Sequence, residues 1–176
     1  MKLYVTRHGQ TEWNYENKVC GTSDIQLSAN GIEQAKELAL KLTAYKIDII
    51  ISSPMKRARE TAEIISETTG VNCIIDERLL EQNYGIFEGA QRDNADFLAA
   101  KKKLVCRYPE GESMVQVAHR VFNLIDELKE KSPAQNVLLV SHGGVCRVIE
   151  TYFNDLSNEE FYAYRLRNCE IKEYDI

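Results

Sequence analysis

Three short apolar runs, each followed by a stretch of helical periodicity, constrain the fold more than any other feature of the chain. Leu3 to Thr6, Ile47-Asp48-Ile49-Ile50-Ile51 and Val137-Leu138-Leu139-Val140 show little of the apolar/polar alternation of a half-exposed strand. Strands of that kind need cover on both faces, which points to a parallel sheet between helices. Asn72 to Asp76 reads as a further strand and Glu170 to Tyr174 as a final edge strand. Between them, Ile32, Ala35, Leu38, Ala39 and Leu42 fall at helical spacing behind Ser28 as N-cap. Ala58, Ala62, Ile65 and Thr69 form a second stripe, opened by Ser53-Pro54 as cap and first helical residue and closed at Gly70. Phe97 to Leu104 reads as a third helix. Met114, Val117, Val121, Leu124 and Leu128 face inward on a fourth, which begins with a capping box of Ser113 and Gln116. A last helix runs from Ser141-His142-Gly143-Gly144 to about Phe153. Strands alternating with helices predict an α/β three-layer sandwich with a mostly parallel central sheet flanked by helices.

The 176 residues fit one domain, 1–176, with no repeat or linker-like tract; the least regular stretch, about 88–108, is expected to form a short lid or insertion. A formal net charge of −5 argues against a nucleic-acid binder. It is compatible with a small anionic ligand held by a few converging arginines. The five cysteines (Cys20, Cys73, Cys106, Cys146, Cys169) are odd in number and contain no C-x-x-C, so neither a disulfide framework nor a zinc knuckle is indicated. Free thiols and the lack of an apolar leader or membrane-length run predict a cytoplasmic protein with no membrane partner, as a monomer or small homo-oligomer.

Familiar phosphate chemistry is mostly missing. No arginine stands six positions after any cysteine, neither G-x-x-x-x-G-K-[ST] nor G-x-G-x-x-G occurs, and no H-E-x-x-H or His/Asp cluster suggests a metal. Of three histidines, His119 lies on an amphipathic helix and reads as a surface residue. His8 and His142 differ from it: each follows an apolar strand and precedes glycine, where ligands bind in open α/β sheets. A lone strand-end histidine is more often structural. Two in equivalent positions, one preceded by Arg7, point to a histidine nucleophile.

The motifs around them resemble the histidine phosphatase superfamily, in its phosphoglycerate-mutase-like branch. The resembling segments are Arg7-His8-Gly9-Gln10-Thr11-Glu12-Trp13-Asn14, Gly21 with Leu27-Ser28-x-x-Gly31, Ser52-Ser53-Pro54-Met55-Lys56-Arg57-Ala58, and Glu81 before Tyr84-Gly85. Gly111-Glu112-Ser113 and Ser141-His142-Gly143-Gly144 complete the set, in family order, with only about Asp93 to Tyr108 unmatched. The resemblance implies a metal-independent phosphatase without cofactor, acting on a small phosphorylated metabolite through a phosphohistidine.

In that scheme His8 is the nucleophile, and Arg7, Arg57 and a protonated or donating His142 surround the phosphoryl oxygens. Glu81 protonates the leaving oxygen and then activates water. Asn14 and the backbone around Cys20, Gly21 and Gly143 add phosphate contacts, while Glu112 and Ser113 cap and orient a helix. A mutase is the rival within the family. Mutases resemble one another in a long arginine-rich insertion after the Glu81 motif and in Asn after His-Gly; this chain has a short segment and Gly144, which favours hydrolysis. A binding protein without turnover is the rival from another class, and retention of His8, Arg57, Glu81 and His142 argues against it. Arg92, Lys101, Lys102, Lys103 and Arg107 read as a solvated charge run, of which one or two are candidates to bind a second anionic group of the substrate.

Overall fold

The computed structural model describes residues 1–131 and 135–176. Strands β1 (Lys2–Arg7), β2 (Ile49–Ser52), β3 (Cys73–Ile75), β4 (Val137–Ser141) and β5 (Ile171–Asp175) form one sheet in the order β3-β2-β4-β1-β5. The first four run parallel, and β5 pairs antiparallel with β1 at the edge. The helices are α1 (Glu12–Tyr15), α2 (Ala29–Leu42), α3 (Lys56–Thr69), α4 (Ala95–Lys101), α5 (Met114–Lys131), α6 (Gly143–Phe153) and α7 (Asn158–Ala163).

Successive strand side chains point to opposite faces, and the two cores divide on that rule. Tyr4, Ile50, Leu138 and Val140 pack with Leu38, Ala39 and Leu42 of α2 and Ala58, Ala62 and Ile65 of α3. Leu3, Val5, Ile51, Val137 and Leu139 pack with Val117, Val121, Leu124 and Ile125 of α5 and Val145, Val148 and Ile149 of α6. This is the three-layer α/β sandwich expected from the apolar runs. Removing a central side chain such as Leu139, fully buried, costs about 2–5 kcal/mol when it leaves a cavity.

Several helix boundaries follow the sequence. Ser28 caps α2 by accepting from the Gly31 amide, Gly70 ends α3 in the left-handed conformation at φ 73°, and Ser113 and Gln116 bond reciprocally at the start of α5. Two differ. The expected Ser53-Pro54 start of α3 gives way to Met55 as N-cap: the Ser53 hydroxyl accepts from the Met55 amide at 3.4 Å as well as from His142, one step ahead of the first helical residue. The first amide of α3, that of Lys56, donates instead to Asp24 Oδ1 at 2.7 Å, a cap supplied from a distant loop. The helix expected over Phe97–Leu104 is α4, shifted toward the N-terminus because Asn94 accepts from the Phe97 amide and starts it there.

Among the described residues, no helix is long and apolar enough to cross a membrane.

Candidate active site

The topology brings together residues that are more than 130 positions apart in sequence. β1 and β4 are adjacent and parallel, with Arg7 opposite Ser141, so the residues that follow, His8 and His142, emerge side by side at the carboxyl end of the sheet. The His8 amide donates to the Ser141 carbonyl at 2.9 Å, and the two imidazole centroids lie 5.1 Å apart. β2 ends next to β4, and the Ser53 amide donates to Val140 O at 3.0 Å, which sets Ser53 beside His142.

His8 is 3% exposed, and its Nδ1 lies 2.6 Å from the Gly9 carbonyl. Only a protonated Nδ1 can donate there, so the neutral ring carries its lone pair on Nε2. Burial, with the charges of Arg57, Arg7 and Arg92, holds the His8 pKa well below the ordinary histidine value. The ring is therefore an unprotonated base at neutral pH. Arg7 has a buried Nε without a hydrogen-bond partner, close to Gly143 at the start of α6.

Arg57, fully buried in the first turn of α3, is the reverse of a solvated residue. Its Nη1 and Nη2 donate to Ser23 O at 2.8 Å and Gly21 O at 2.7 Å, and its Nε donates to His142 Nδ1 at 3.2 Å. His142 therefore accepts at Nδ1 and donates from Nε2 to the Ser53 hydroxyl at 2.7 Å. Burial and then the Arg57 charge push its pKa well below the usual value. Both ring nitrogens of this neutral histidine are thus turned to protein, so the donating or protonated group expected from the motif is occupied by Arg57 and Ser53 in this arrangement.

Glu81 is 5% exposed, and its carboxylate accepts from the Gln82 amide (2.9 Å, Oε1) and the Gly144 amide (2.9 Å, Oε2). A Cβ at Gly144 would stand 2.5 Å from Glu81 Oε1, so glycine here is what lets the carboxylate reach the helix start. Arg120 braces the same segment by donating to the carbonyls of Arg78, Leu80 and Glu81 and pairing with Glu112.

His8, Arg7 and Glu81 open onto a cavity of about 400 Å³, whereas Arg57 and His142 do not line it and lie behind its wall. Arg7, His8, Asn14, Cys20, Glu81 and Gly143 line it, and Glu81 is the only carboxylate among the lining residues. Gly21 does not line it: its amide donates to Glu88 and its carbonyl accepts from Arg57. Arg92, Phe97, Leu98 and Lys101 from the irregular 88–108 stretch also line the cavity, while Lys102, Lys103 and Arg107 are exposed elsewhere. The stretch is pinned over the cavity by backbone bonds from Gly89 to Val19 O, Val19 to Ala90 O and Arg92 to Asn17 O. Packing among Tyr84, Phe87, Phe97 and Tyr108 holds it from the other side.

Sequence reasoning missed Ser53, Glu88 and two cavity-lining arginines, Arg147 and Arg165. The carboxylate of Glu88 accepts from the amides of Gly21, Thr22, Ser23 and Tyr84 and from the Ser23 hydroxyl, fixing the loop whose carbonyls hold Arg57. Arg147 carried a readable signal, since it lies one helical turn after Gly143 and so shares its face. His119 is exposed on α5, as expected. Among the described residues no group of His, Cys, Asp and Glu has the arrangement of a metal site.

An uncharged imidazole at the carboxyl end of a parallel sheet, with arginines and one carboxylate around it, is an arrangement chemically suited to phosphoryl transfer. A family model for the histidine phosphatase superfamily (branch 1) matches residues 3–176, and the chain belongs to that family. It is 36% identical over 185 residues to the probable phosphoglycerate mutase GpmB of Escherichia coli O1:K1, covering 99% of this chain and 85% of that protein. Among solved structures, the mycobacterial glucosyl-3-phosphoglycerate phosphatase superimposes with a TM-score of 0.85 at 29% identity, covering 98% of this chain and 88% of that one. A putative alpha-ribazole-5′-P phosphatase from Escherichia coli K-12 does so at 0.84 and 27%, covering 98% and 89%. The chemistry common to these relatives is phosphatase or mutase-type phosphoryl transfer.

Proposed function

We propose that the protein is a phosphatase that hydrolyses a small phosphomonoester through a phosphohistidine on His8. The observation that carries this reading is the state of His8: buried, held neutral, with Nδ1–H fixed on the Gly9 carbonyl and Nε2 left as the nucleophilic nitrogen. Attack by Nε2 on phosphorus forms the N–P bond as the ester oxygen leaves with the P–O electron pair. The Gly9 carbonyl steadies the imidazolium character that develops at Nδ1. Arg7, with its unpartnered Nε, and the Gly143 end of α6 offer donors and positive potential to the phosphoryl oxygens. Arg57 lies further back, adding charge behind them while His142, anchored on Ser53, sets its orientation.

Glu81 on the cavity wall, as the carboxylic acid, gives its proton to the leaving alkoxide; the resulting carboxylate then takes a proton from the water that cleaves the N–P bond, which restores the acid. That second step returns His8 to its starting form and releases inorganic phosphate. Positioning and electrostatics dominate such transfers. No metal enters the scheme, so hydrolysis should persist in EDTA.

Hydrolysis is favoured over isomerisation by the short segment above the cavity, whose one helix, α4, has seven residues. A mutase must retain its released intermediate and return the phosphoryl group to a second oxygen, which calls for a more extensive cover. Incubation with 3-phosphoglycerate and a bisphosphoglycerate primer separates the two: release of inorganic phosphate is expected, and efficient formation of 2-phosphoglycerate would overturn the phosphatase reading. Cytoplasmic residence and a single functional domain belong to the same proposal.

A further inference from the structure

The phosphate end of the cavity accounts for only some of its positive charge. Of the cations lining it, Arg7 and Arg92 weigh on His8 and belong to the transfer centre. Lys101 from α4, Arg147 from α6 and Arg165 from the segment after α7 line the same cavity. They arrive from three separate elements. Among the described residues, none of the three is in an ion pair, whereas Arg78 and Arg120 elsewhere in the protein each pair with carboxylates. Arg147 is 6% exposed, and its Nε is buried with no hydrogen-bond partner. Its guanidinium rests over the Phe161 ring at 5.4 Å and makes one long contact, 3.5 Å, to the Tyr164 carbonyl.

Gathering like charges without a counter-ion is costly, and burying one of them with a free donor is costlier. At Lys101, burial and the neighbouring Arg147, Arg165 and Arg92 push the ammonium pKa down to about 8. An anion is the natural completion of such a wall. Tyr84, Phe97 and Leu98 also line the cavity, so a ligand there meets apolar surface as well as charge.

We propose that Lys101, Arg147 and Arg165 form a second anion subsite, so that the preferred substrate is a phosphomonoester carrying another anionic group, carboxylate or phosphate. The proposal rests on the phosphatase reading above. It assigns no part in the chemical step to the three cations. They bind the end of the substrate that keeps its charge after the phosphoryl group has gone to His8.

Three aryl phosphates of one shape test it: p-nitrophenyl phosphate, 4-carboxyphenyl phosphate and 1,4-phenylene bisphosphate. Each is assayed with the wild-type protein and with Lys101→Met, Arg147→Met and Arg165→Gln, using kcat/KM for the anionic substrates relative to p-nitrophenyl phosphate. The ratio cancels leaving-group differences when wild type and variant are compared. A fall of about tenfold or more in that ratio is expected for at least Arg147→Met, as for the loss of a charge-assisted hydrogen bond. The carboxylate and bisphosphate arms show which anion is bound. Arg165 is exposed and Lys101 half-buried, so these two variants keep the test valid if Arg147→Met does not fold. Ratios unchanged in all folded variants, with p-nitrophenyl phosphate still hydrolysed, overturn the subsite alone. No hydrolysis of p-nitrophenyl phosphate by the wild type overturns the phosphatase reading, and the subsite assignment falls with it.

Discussion

Gly144→Ala separates the placement of Glu81 from the stability of the fold. On backbone grounds the substitution is benign. Gly144 sits in the first turn of α6 and is not among the residues with positive φ, and alanine favours a helix over glycine by up to about 1 kcal/mol. The new Cβ, however, would stand 2.5 Å from Glu81 Oε1 and 3.2 Å from its Cδ. The obstructing atoms are the far end of a flexible side chain, so Glu81 yields and the backbone stays. Its carboxylate must shift by roughly 1 Å, weakening the bond from the Gly144 amide, and a displacement of that size at a reacting group costs on the order of 10²-fold in rate. The weakened bond, worth about 1.5–3 kcal/mol when charge-assisted, is offset in part by the helix gain, leaving stability within about 2 kcal/mol of wild type. The assay is kcat/KM for p-nitrophenyl phosphate together with a urea unfolding curve. A rate within twofold of wild type in a folded variant would refute the role given to Glu81. A collapse of stability would refute the claim that the side chain gives way.

Three further outcomes follow from the same geometry. Glu88→Ala frees the five donors that hold the 21–23 loop and, through it, Arg57; unfolding in urea should show a loss of about 2 kcal/mol or more, with reduced turnover in the folded protein, and an unchanged midpoint would contradict this. His8 and His142 resist protonation in the folded state, whereas the unfolded chain takes up protons near pH 6.5, so stability present above that pH should fall below it by up to about 1.4 kcal/mol per pH unit for each histidine. Replacing His142 with Asn should flatten the slope measured by denaturant titration between pH 6.5 and 5. Because the Lys101 pKa lies at about 8, the preference of the free enzyme for doubly anionic phosphomonoesters, read as kcat/KM, should decline above that pH, and the decline should be absent in Lys101→Met.

The sheet and both cores were legible because Leu3 to Thr6, Ile47 to Ile51 and Val137 to Val140 carry their burial in their composition, although the second strand starts two residues later, at Ile49. The strand order was not, since no local signal says that β1 lies between β4 and β5. Yet that order is what sets His8 beside His142, and only the paired glycine-flanked histidines hinted at it. Arg57, Glu81 and Asn14 were readable through the family motifs, whereas their supports were not. Asp24 caps α3 across the fold, Ser53 anchors His142 as well as the Met55 amide, and Glu88 holds a loop more than sixty residues away in sequence. Each acts through tertiary contact and leaves no periodicity. The short helices α1 and α7 were missed although Thr11 with Asn14 and Ser157 with Glu160 form capping boxes; the Ser-x-x-Glu of α7 is a signature that sequence reading can recognise.

Whether a phosphoryl group is carried on His8 is open to direct measurement. The wild-type protein is mixed rapidly with p-nitrophenyl phosphate, quenched under alkaline conditions that preserve phosphohistidine, and examined as intact protein and as peptides by mass spectrometry. One added phosphoryl group, mapped to His8 and absent from His8→Ala, is the expected result, together with loss of turnover in that variant. A phosphoryl group on another residue, or turnover that survives in His8→Ala, would contradict the account at its centre.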